Sequence, residues 1–334
     1  MAEGAIGKGE EVKIVIGVTT YGNLDRELGF LRSYWNNRGD SPHEIQLVCV
    51  DDGTPNPARV RERGVAVRRL NCDFISNGNN RGIPGSWNVI LNYAKDKGAA
   101  LCGIFNDDIR FVVPGFLERV VYFYEKNENV GAVGLPLINE SGFTDSDPRW
   151  DCNPGLCGAA VGCSFFVRPE IALSVVNPDG SKGFFEALLS FHEETFCGFK
   201  MHELGFQSWM IPWPPAHHAG GQTFQANHEL VWRDPVPGLP VEGFLNYVRS
   251  CQWYIPQYEE AYAQNKFDRM SYSRYLFCLY YGVLDSERYQ EIDGQRVDCY
   301  EEPQRLVHSR VVKKKLDRLV FWMDRAGQSR SCEV

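Results

Sequence analysis

The sequence lacks most of the short patterns that assign a chain to a class at first reading. None of its 11 cysteines forms a CxxC pair, and the grouping of Cys152, Cys157 and Cys163 fits no common zinc site. Neither GxGxxG nor GxxxxGK[ST] occurs, so the dinucleotide-binding and P-loop fingerprints are missing. The HExxH pattern of zinc proteases fails because Phe196 stands where the second histidine would be.

The sequence also lacks a long apolar run and an excess of positive charge. Its longest weakly polar run, "GLCGAAVGCSFFV", is shorter than the roughly 20 residues that span a bilayer, and "MAEGAIGKGEE" has no apolar signal core. The net charge of -8 argues against a surface built mainly to bind nucleic acid. We therefore expect a cytoplasmic protein with no transmembrane segment, at most peripheral at a membrane, with reduced and mostly packed cysteines.

The first third of the chain alternates between strand and helix patterns. Strands are predicted at "VKIVIGVTTY", "EIQLVCVDDGTP", "VAVRRLN" and "ALCGIF", and helices at "LDRELGFLRSYWNNRG" and "SWNVILNYAKDKG". This alternation predicts an α/β fold with a mostly parallel sheet. Ligands of such sheets bind beyond the carboxyl ends of the strands, where Asp51 and Asp52 and the run Asn106, Asp107 and Asp108 are expected.

Two adjacent carboxylates at one strand end repel each other unless a cation lies between them, which favours a Mg²⁺ or Mn²⁺ site. An Asx-turn with solvated side chains is the alternative for an isolated "NDD". In the loop "NNRGIPGSWN", Gly82 and Gly85 permit a tight backbone path, and Ser86 is expected to open a helix facing a polar ligand.

These segments together, with "GIFNDDIRFVVPGFLE" and "HEETFCGFKMHELGFQSWMIPWPPAHHAGG", resemble the inverting nucleotide-sugar glycosyltransferases of family 2, over residues 12 to about 224. The resemblance implies a GT-A fold, which is a Rossmann-like, mostly parallel sheet flanked by helices. It also implies metal-dependent transfer of a hexosyl or pentosyl group from a nucleoside-diphosphate sugar to an acceptor hydroxyl, with inversion.

The resemblance assigns roles to individual residues. The nucleotide sugar is expected to bind at Thr19, Tyr21, Asp51, Asp52, Asn80, Arg81, Gly82, Asn88, Asn106 and Asp107. Mn²⁺ or Mg²⁺ would be bound by Asp108 and His218, with His217 as the rival histidine.

The catalytic base would be Glu193, with Glu194 as the alternative, although carboxylates at a helix start can also be purely stabilising. Trp150 and Asp151 are the expected acceptor contacts, and packing of Trp150 in the core is an equal alternative.

The character of the sequence changes after "RDPVPGLPVEG", which predicts a catalytic domain over residues 1–235 and a helical, aromatic-rich region over 236–334. The aromatic rings of residues 236–334 are expected to pack onto the catalytic domain or onto a second copy of the chain, which would form a homodimer through the C-terminal helices. The acceptor stays open among glycan, lipid-linked glycan, protein and nucleic acid. A GT-A-like nucleotidyltransferase and a non-catalytic sugar- or nucleotide-binding module are the alternative functions.

Overall fold

The computed structural model describes most of the chain. The described residues are 11–139, 155–157, 163–188, 192–211, 216–218, 232–235, 238–252, 254–281, 288–292, 294–299 and 307. Two expected acceptor contacts, Trp150 and Asp151, lie outside these ranges.

An eight-stranded sheet in the order β3-β2-β1-β4-β9-β6-β10-β8 forms the centre of the fold. Its strands are β1 (Lys13–Thr20), β2 (Glu44–Asp51), β3 (Cys72–Ser76), β4 (Leu101–Asn106), β6 (Val130–Gly134), β8 (Gly155–Cys157), β9 (Ser164–Val167) and β10 (Gln207–Met210). The pairs formed by β1 to β4 and the β6–β10 pair are parallel, whereas β9 and β8 join antiparallel. The predicted mostly parallel α/β sheet is confirmed.

Helices cover both faces of this sheet. They are α1 (Leu24–Asn37), α2 (Pro57–Arg68), α3 (Gly82–Asp96), α4 (Phe116–Lys126), α5 (Pro169–Ser174) and α6 (Glu193–Glu203), with a 3-10 helix at Glu186–Leu188. Buried apolar side chains of α1 and α4 pack on one face, and those of α3, α5 and α6 pack on the other. Burial on both faces explains why β1 and β2 read as continuous apolar runs.

The structure corrects two sequence predictions near α2 and α3. The segment "VAVRRLN", predicted as a strand, lies mostly within α2, and the third strand follows it at β3. Asn56 caps α2 by accepting hydrogen bonds from the backbone of Ala58 and Arg59, and Pro57 occupies the first turn. These start signals outweigh the β-propensity of the valines. Helix α3 begins at Gly82 rather than at Ser86.

A second, three-stranded sheet lies beside the acidic strand end. It has the order β5-β11-β7, from β5 (Ile109–Phe111), β7 (Leu137–Asn139) and β11 (Ala216–His218). In the antiparallel β5–β11 pair, His218 is opposite Ile109. Main-chain pairing therefore brings His218 next to the residue that precedes Ile109, which is Asp108.

The C-terminal region contains α7 (Phe244–Ser250), α8 (Gln257–Ala263) and α9 (Arg269–Tyr280). It also contains two small antiparallel pairs, one of β12 (Trp232–Arg233) with β13 (Phe267–Asp268), the other of β14 (Tyr289–Ile292) with β15 (Gln295–Asp298). The second pair lies where the sequence predicted helix. The side chains of α7 and α9 share a buried cluster with Phe185, Phe196 and Phe199.

Eight cysteines whose side chains the structure describes are free thiols, and seven of these eight are buried, as the sequence predicted. Within the same ranges, no helix is both long enough and apolar enough to cross a membrane.

Candidate active site

The register of the central strands brings the predicted strand-end residues to one edge of the sheet. In the parallel β1–β2 pair Thr20 is opposite Asp51, and in the parallel β1–β4 pair Thr19 is opposite Asn106. The polar ends of β1, β2 and β4 are therefore neighbours. This edge is the carboxyl edge of the parallel strands, where α/β sheets bind ligands.

Asp51 is fully buried and its carboxylate is saturated by the protein. One oxygen accepts from Thr54 Oγ1 at 2.5 Å and Arg63 Nη1 at 2.6 Å, and the other accepts from Thr54 N and Ser76 Oγ, both at 3.1 Å. A carboxylate with four such bonds has little capacity left for a ligand. Its role in this geometry is to hold the end of β2.

Arg63 and Glu27 were not singled out from the sequence, yet they lie at the centre of a buried polar network. Arg63 donates through Nε to Glu27 Oε1 at 2.7 Å and also contacts Glu27 through Nη2. Burial alone would lower the pKa of Arg63, but the carboxylates of Glu27 and Asp51 raise it. The guanidinium therefore compensates two carboxylates that are removed from water.

The same network reaches the acidic strand end through Thr20. Its Oγ1 accepts from Arg63 Nη2 at 3.2 Å and lies 2.6 Å from Glu27 Oε1 and 3.0 Å from Asp107 Oδ2. Burial, and then the charge of Asp108, raise the pKa of Asp107 to about 7. The side chain of Asp107 is thus held inside the fold, on the side of α1.

Asp52 follows Asp51 and makes different contacts. Its Oδ1 accepts from the backbone of Arg81 at 2.9 Å and from Asn77 Nδ2 at 3.2 Å. Burial raises the pKa of Asp52, and these two hydrogen bonds oppose the shift. At the neighbouring Gly53, with φ of +76°, a Cβ would lie 2.1 Å from the Asn79 carbonyl carbon. Glycine at this position lets the β2 end and the loop before α3 approach each other.

Asn88 connects α3 to the segment before the 3-10 helix. Its side-chain amide donates to Phe184 O and accepts from Phe184 N, both at 2.8 Å, and it also donates to Glu186 Oε1 at 3.1 Å. Glu186 in turn pairs with Arg81 at 2.6 Å. Asn88 and Arg81, both predicted to lie against the donor, thus form one network, in which Asn88 is buried and Arg81 remains partly exposed.

Asp108 and His218 form the candidate cation site. Asp108 Oδ2 lies 3.6 Å from His218 Nε2, and Asp108 Oδ1 is buried with no hydrogen-bond partner. A carboxylate oxygen and an imidazole nitrogen are suitable ligands for Mn²⁺, and an unbonded buried oxygen is costly without a partner. In the described residues no group of three or more histidine, cysteine or acidic side chains is arranged to hold a metal ion by itself. The two residues therefore fit a cation whose remaining ligands are substrate phosphates and water.

Glu193 and Glu194 are the first two residues of α6. Glu193 is buried and its Oε2 has no hydrogen-bond partner, whereas Glu194 is half-buried and accepts from Thr195 Oγ1 at 3.1 Å. Burial and the charge of Glu194 raise the pKa of Glu193 well above its usual value, although Arg269 opposes the shift. Burial also raises the pKa of Glu194. An unbonded carboxyl oxygen with a raised pKa is suited to accept a proton.

The remaining predicted residues are distributed around this edge. Tyr21 is 47% exposed, Thr19 has a buried Oγ1 with no hydrogen-bond partner, and Gly82 donates its backbone N–H to Asn80 Oδ1 at 3.2 Å. Asn106 is half-buried at the end of β4. His217, the rival histidine, is exposed, since alternate residues of β11 point to opposite sides.

Two arginines beyond residue 230 also reach this edge and were not predicted. Arg233 Nη2 donates to Asn80 Oδ1 at 3.3 Å, and the charge of Arg269 acts on both Glu193 and Asp52. No local pattern in the sequence marks either arginine, because their positions depend on the packing of α9 against the 3-10 helix. Ser273 of α9 makes this contact through a hydrogen bond to Leu188 O.

No protein-family model matches the chain, and no curated protein matches it. Among solved structures, GalNAc-T7 with UDP, GalNAc and Mn²⁺ matches with a TM-score of 0.50 and 12% identity, over 64% of this chain and 44% of that chain. This chain thus spans less than half the length of that structure.

Two other solved structures have lower TM-scores. TarS residues 1–349 of S. aureus gives 0.48 at 12% identity, over 85% of this chain and 95% of that chain. A mannosyltransferase of Pyrobaculum calidifontis, in complex with GDP-Man and Mn²⁺, gives 0.48 at 14% identity, over 85% and 79%. At these identities the likeness to GalNAc-T7 is one of fold, and the predicted GT-A fold, a mostly parallel sheet flanked by helices, is confirmed.

Proposed function

We propose that this chain is a metal-dependent glycosyltransferase that moves a sugar from a nucleoside-diphosphate donor to an acceptor hydroxyl, with inversion at the anomeric carbon. One observation carries the proposal. The buried Asp108 oxygen without a partner lies at the carboxyl edge of the sheet, on a side chain 3.6 Å from His218. The sequence resemblance and the GT-A fold support the same function.

The proposed roles follow from what each side chain can still bind. Asp108 and His218 would hold Mn²⁺ or Mg²⁺, which supplies charge stabilisation to the departing diphosphate when bound. Asp52 and Tyr21 would contact the nucleoside, because the carboxylate of Asp51 is saturated and that of Asp52 is not. Asn80, Arg81 and Gly82 would form the wall beside the donor, on the loop that Asp52 holds.

Glu193 is the proposed general base. It would take the proton from the acceptor hydroxyl as that oxygen attacks the anomeric carbon and the bond from this carbon to the diphosphate oxygen breaks. The unbonded Oε2 supports Glu193 over Glu194, whose Oε1 already accepts from Thr195. Asp107 would act as a support for the strand end, since Thr20 holds it on the side of the buried network.

A panel of nucleotide sugars tests this function. The purified chain should release UDP or GDP from at least one of them in the presence of Mn²⁺ or Mg²⁺, and EDTA should stop the release. Asp108→Asn keeps the size of the side chain but weakens the ligand, so it should abolish metal-dependent nucleotide binding measured by calorimetry. His217→Ala is the matched control and should bind normally, because this histidine is exposed.

The base is tested separately by kinetics. Glu193→Gln should lower the rate of sugar transfer by about 100- to 10,000-fold, the range for loss of a general base, while nucleotide affinity stays the same. Glu194→Gln should retain most of the rate. The opposite pattern would move the base to Glu194, and normal rates in both variants would remove the base from this helix.

A further inference from the structure

The turn that carries Asp108 is held by the side chain of Arg110. Asp107 and Asp108 form a two-residue turn between β4 and β5, and Arg110 is the central residue of β5. Arg110 Nη1 donates to the backbone carbonyls of both Asp107 and Ile109, at 2.7 Å each. These carbonyls lie on either side of Asp108. One guanidinium nitrogen therefore fixes the backbone before and after the acidic residue of the candidate cation site.

Arg110 approaches the turn from the side opposite to His218. In the antiparallel β5–β11 pair, Arg110 is opposite His217 and Ile109 is opposite His218. Directly opposite residues share a face of a sheet, and successive residues alternate between faces. Arg110 therefore lies on the face away from His218, so its guanidinium can orient the turn without taking the place of a cation ligand.

Helix α1 leaves room for this guanidinium at Gly29. A Cβ at Gly29 would lie 2.5 Å from Nη2, 2.7 Å from Cζ and 2.8 Å from Nε of Arg110. Gly29 lies inside α1 with an ordinary helical backbone, where alanine would stabilise the helix more than glycine does. The close approach of Arg110 is therefore the physical reason for a glycine at this position.

The residue after Arg110 is bound to the same helix. Phe111 N donates to Ser33 Oγ at 3.1 Å, and Asn37 Nδ2 donates to Phe111 O at 2.9 Å. Ser33 and Asn37 follow Gly29 along α1 at intervals of about one helical turn, so the three positions share one face of the helix. This face of α1 supports both β5 and the turn that precedes it.

The charge of Arg110 opposes cation binding at this site. Burial lowers the pKa of Arg110, and the charges of Asp107 and Asp108 oppose the shift. A guanidinium this close to Asp108 repels a bound cation. Loss of the positive charge would, on electrostatic grounds alone, strengthen cation binding. A substitution of Arg110 that weakens cation binding would therefore report a loss of geometry.

We propose that Arg110, packed against Gly29, is a positioning residue that holds Asp108 in the orientation in which its carboxylate binds the cation. Groups that orient metal ligands commonly change metal affinity by about 10- to 100-fold when they are removed. The inference rests on the proposed function, because the cation is the one proposed for Asp108 and His218.

Calorimetry of Mn²⁺ binding tests this role. Mn²⁺ is titrated into wild type, Arg110→Met and Arg110→Lys, each alone and with UDP or GDP. Arg110→Met removes the charge and both hydrogen bonds and should weaken Mn²⁺ binding by about 10- to 100-fold. Arg110→Lys keeps the charge without the planar guanidinium and should weaken binding by less. Excess Mn²⁺ should restore nucleotide binding in both variants, which a misfolded protein would not allow.

Gly29→Ala tests the same contact from the helix. Alanine is favourable in a helix but would displace the guanidinium, so Gly29→Ala should also weaken Mn²⁺ binding. In the Arg110→Met background it should have no further effect, because the contact is already lost. Arg32→Gln is the matched control, at an exposed arginine of the same helix, and it should bind Mn²⁺ as wild type does. Thermal denaturation identifies any variant that fails to fold, and Gly29→Ala carries the test if Arg110→Met does.

The outcomes separate this inference from the proposed function. Wild-type Mn²⁺ affinity in Arg110→Met and Gly29→Ala, or tighter binding in Arg110→Met, would overturn the positioning role and leave the glycosyltransferase intact. An equal loss from Gly29→Ala with and without Arg110 would also overturn it, since the glycine would then act independently of the arginine. A wild-type protein that binds no Mn²⁺, with or without nucleotide, would count against the proposed function and the inference together.

Discussion

Replacing Arg63 by methionine should destabilise the protein more than any other single loss of charge in the described part of the chain. Methionine retains the unbranched, apolar part of the side chain but leaves Glu27 and Asp51, both with 0% of the side chain exposed, without their shared cation. Removing one partner of a buried ion pair costs about 3–5 kcal/mol. Because domains are stable by only about 5–15 kcal/mol, this is a large fraction of the total.

The loss should fall mainly on Glu27. Asp51 keeps its hydrogen bonds from Thr54 and Ser76, whereas Glu27 keeps the contact with Thr20. The double variant Arg63→Met with Glu27→Gln should therefore recover part of the stability, because it removes the uncompensated charge.

Urea denaturation followed by circular dichroism gives the measurement. The control is Arg249→Met, which removes an arginine from an exposed ion pair, and it should leave the midpoint unchanged. A loss below about 1 kcal/mol in Arg63→Met would refute the argument, since it would mean that the two carboxylates are solvated or neutral without the arginine.

Three further outcomes are expected. Since the pKa of Glu193 is raised above its usual 4.5, the rate of sugar transfer should increase as the pH rises above that value. The protonated Glu193 contributes stability that is fully present below pH 4.5 and should be lost as the pH rises, and Glu193→Gln should flatten this pH dependence of stability. Gly183→Ala should cost more stability in urea than Gly180→Ala, because both have positive φ but only at Gly183 would a Cβ lie 2.4 Å from the Asn88 Oδ1 atom. Deleting residues 236–334 should give aggregated protein on size-exclusion chromatography, because it uncovers the buried ring of Phe196; a monodisperse fragment would contradict this.

The central strands were predictable because their signal is local. β1, β2 and β4 are runs of apolar residues buried on both faces, and each ends within a residue or two of the predicted point. The segment "VAVRRLN" shows the limit of that signal. Its valines favour a strand, but the cap at Asn56 and the packing of Val67 in the core favour the helix that forms.

The candidate active site likewise contains some residues that the sequence could locate and others that it could not. The acidic strand end and the pair of glutamates could be located from the sequence because they interrupt or begin recognisable elements. The sequence could not predict that the hydrogen-bonding capacity of Asp51 is already filled, because this depends on Arg63 folding back onto β2. Arg63 stands in a charged stretch that suggests a solvated helix face. Arg233 and Arg269 likewise are positioned by contacts between distant segments, which are the β12–β13 pair and the packing of α9 against the 3-10 helix.

The apolar cluster shared by α6 and the C-terminal helices also constrains the order in which the chain can fold during synthesis. Phe196 and Phe199 leave the ribosome well before Phe277, against which both rings pack at 6.4 and 6.1 Å between centroids. Translation proceeds at about 5–20 residues per second, so this surface stays uncovered for several seconds. The helix that carries Glu193 therefore gains its final support only when α9 has been made, and the nascent chain is expected to depend on chaperones during that interval.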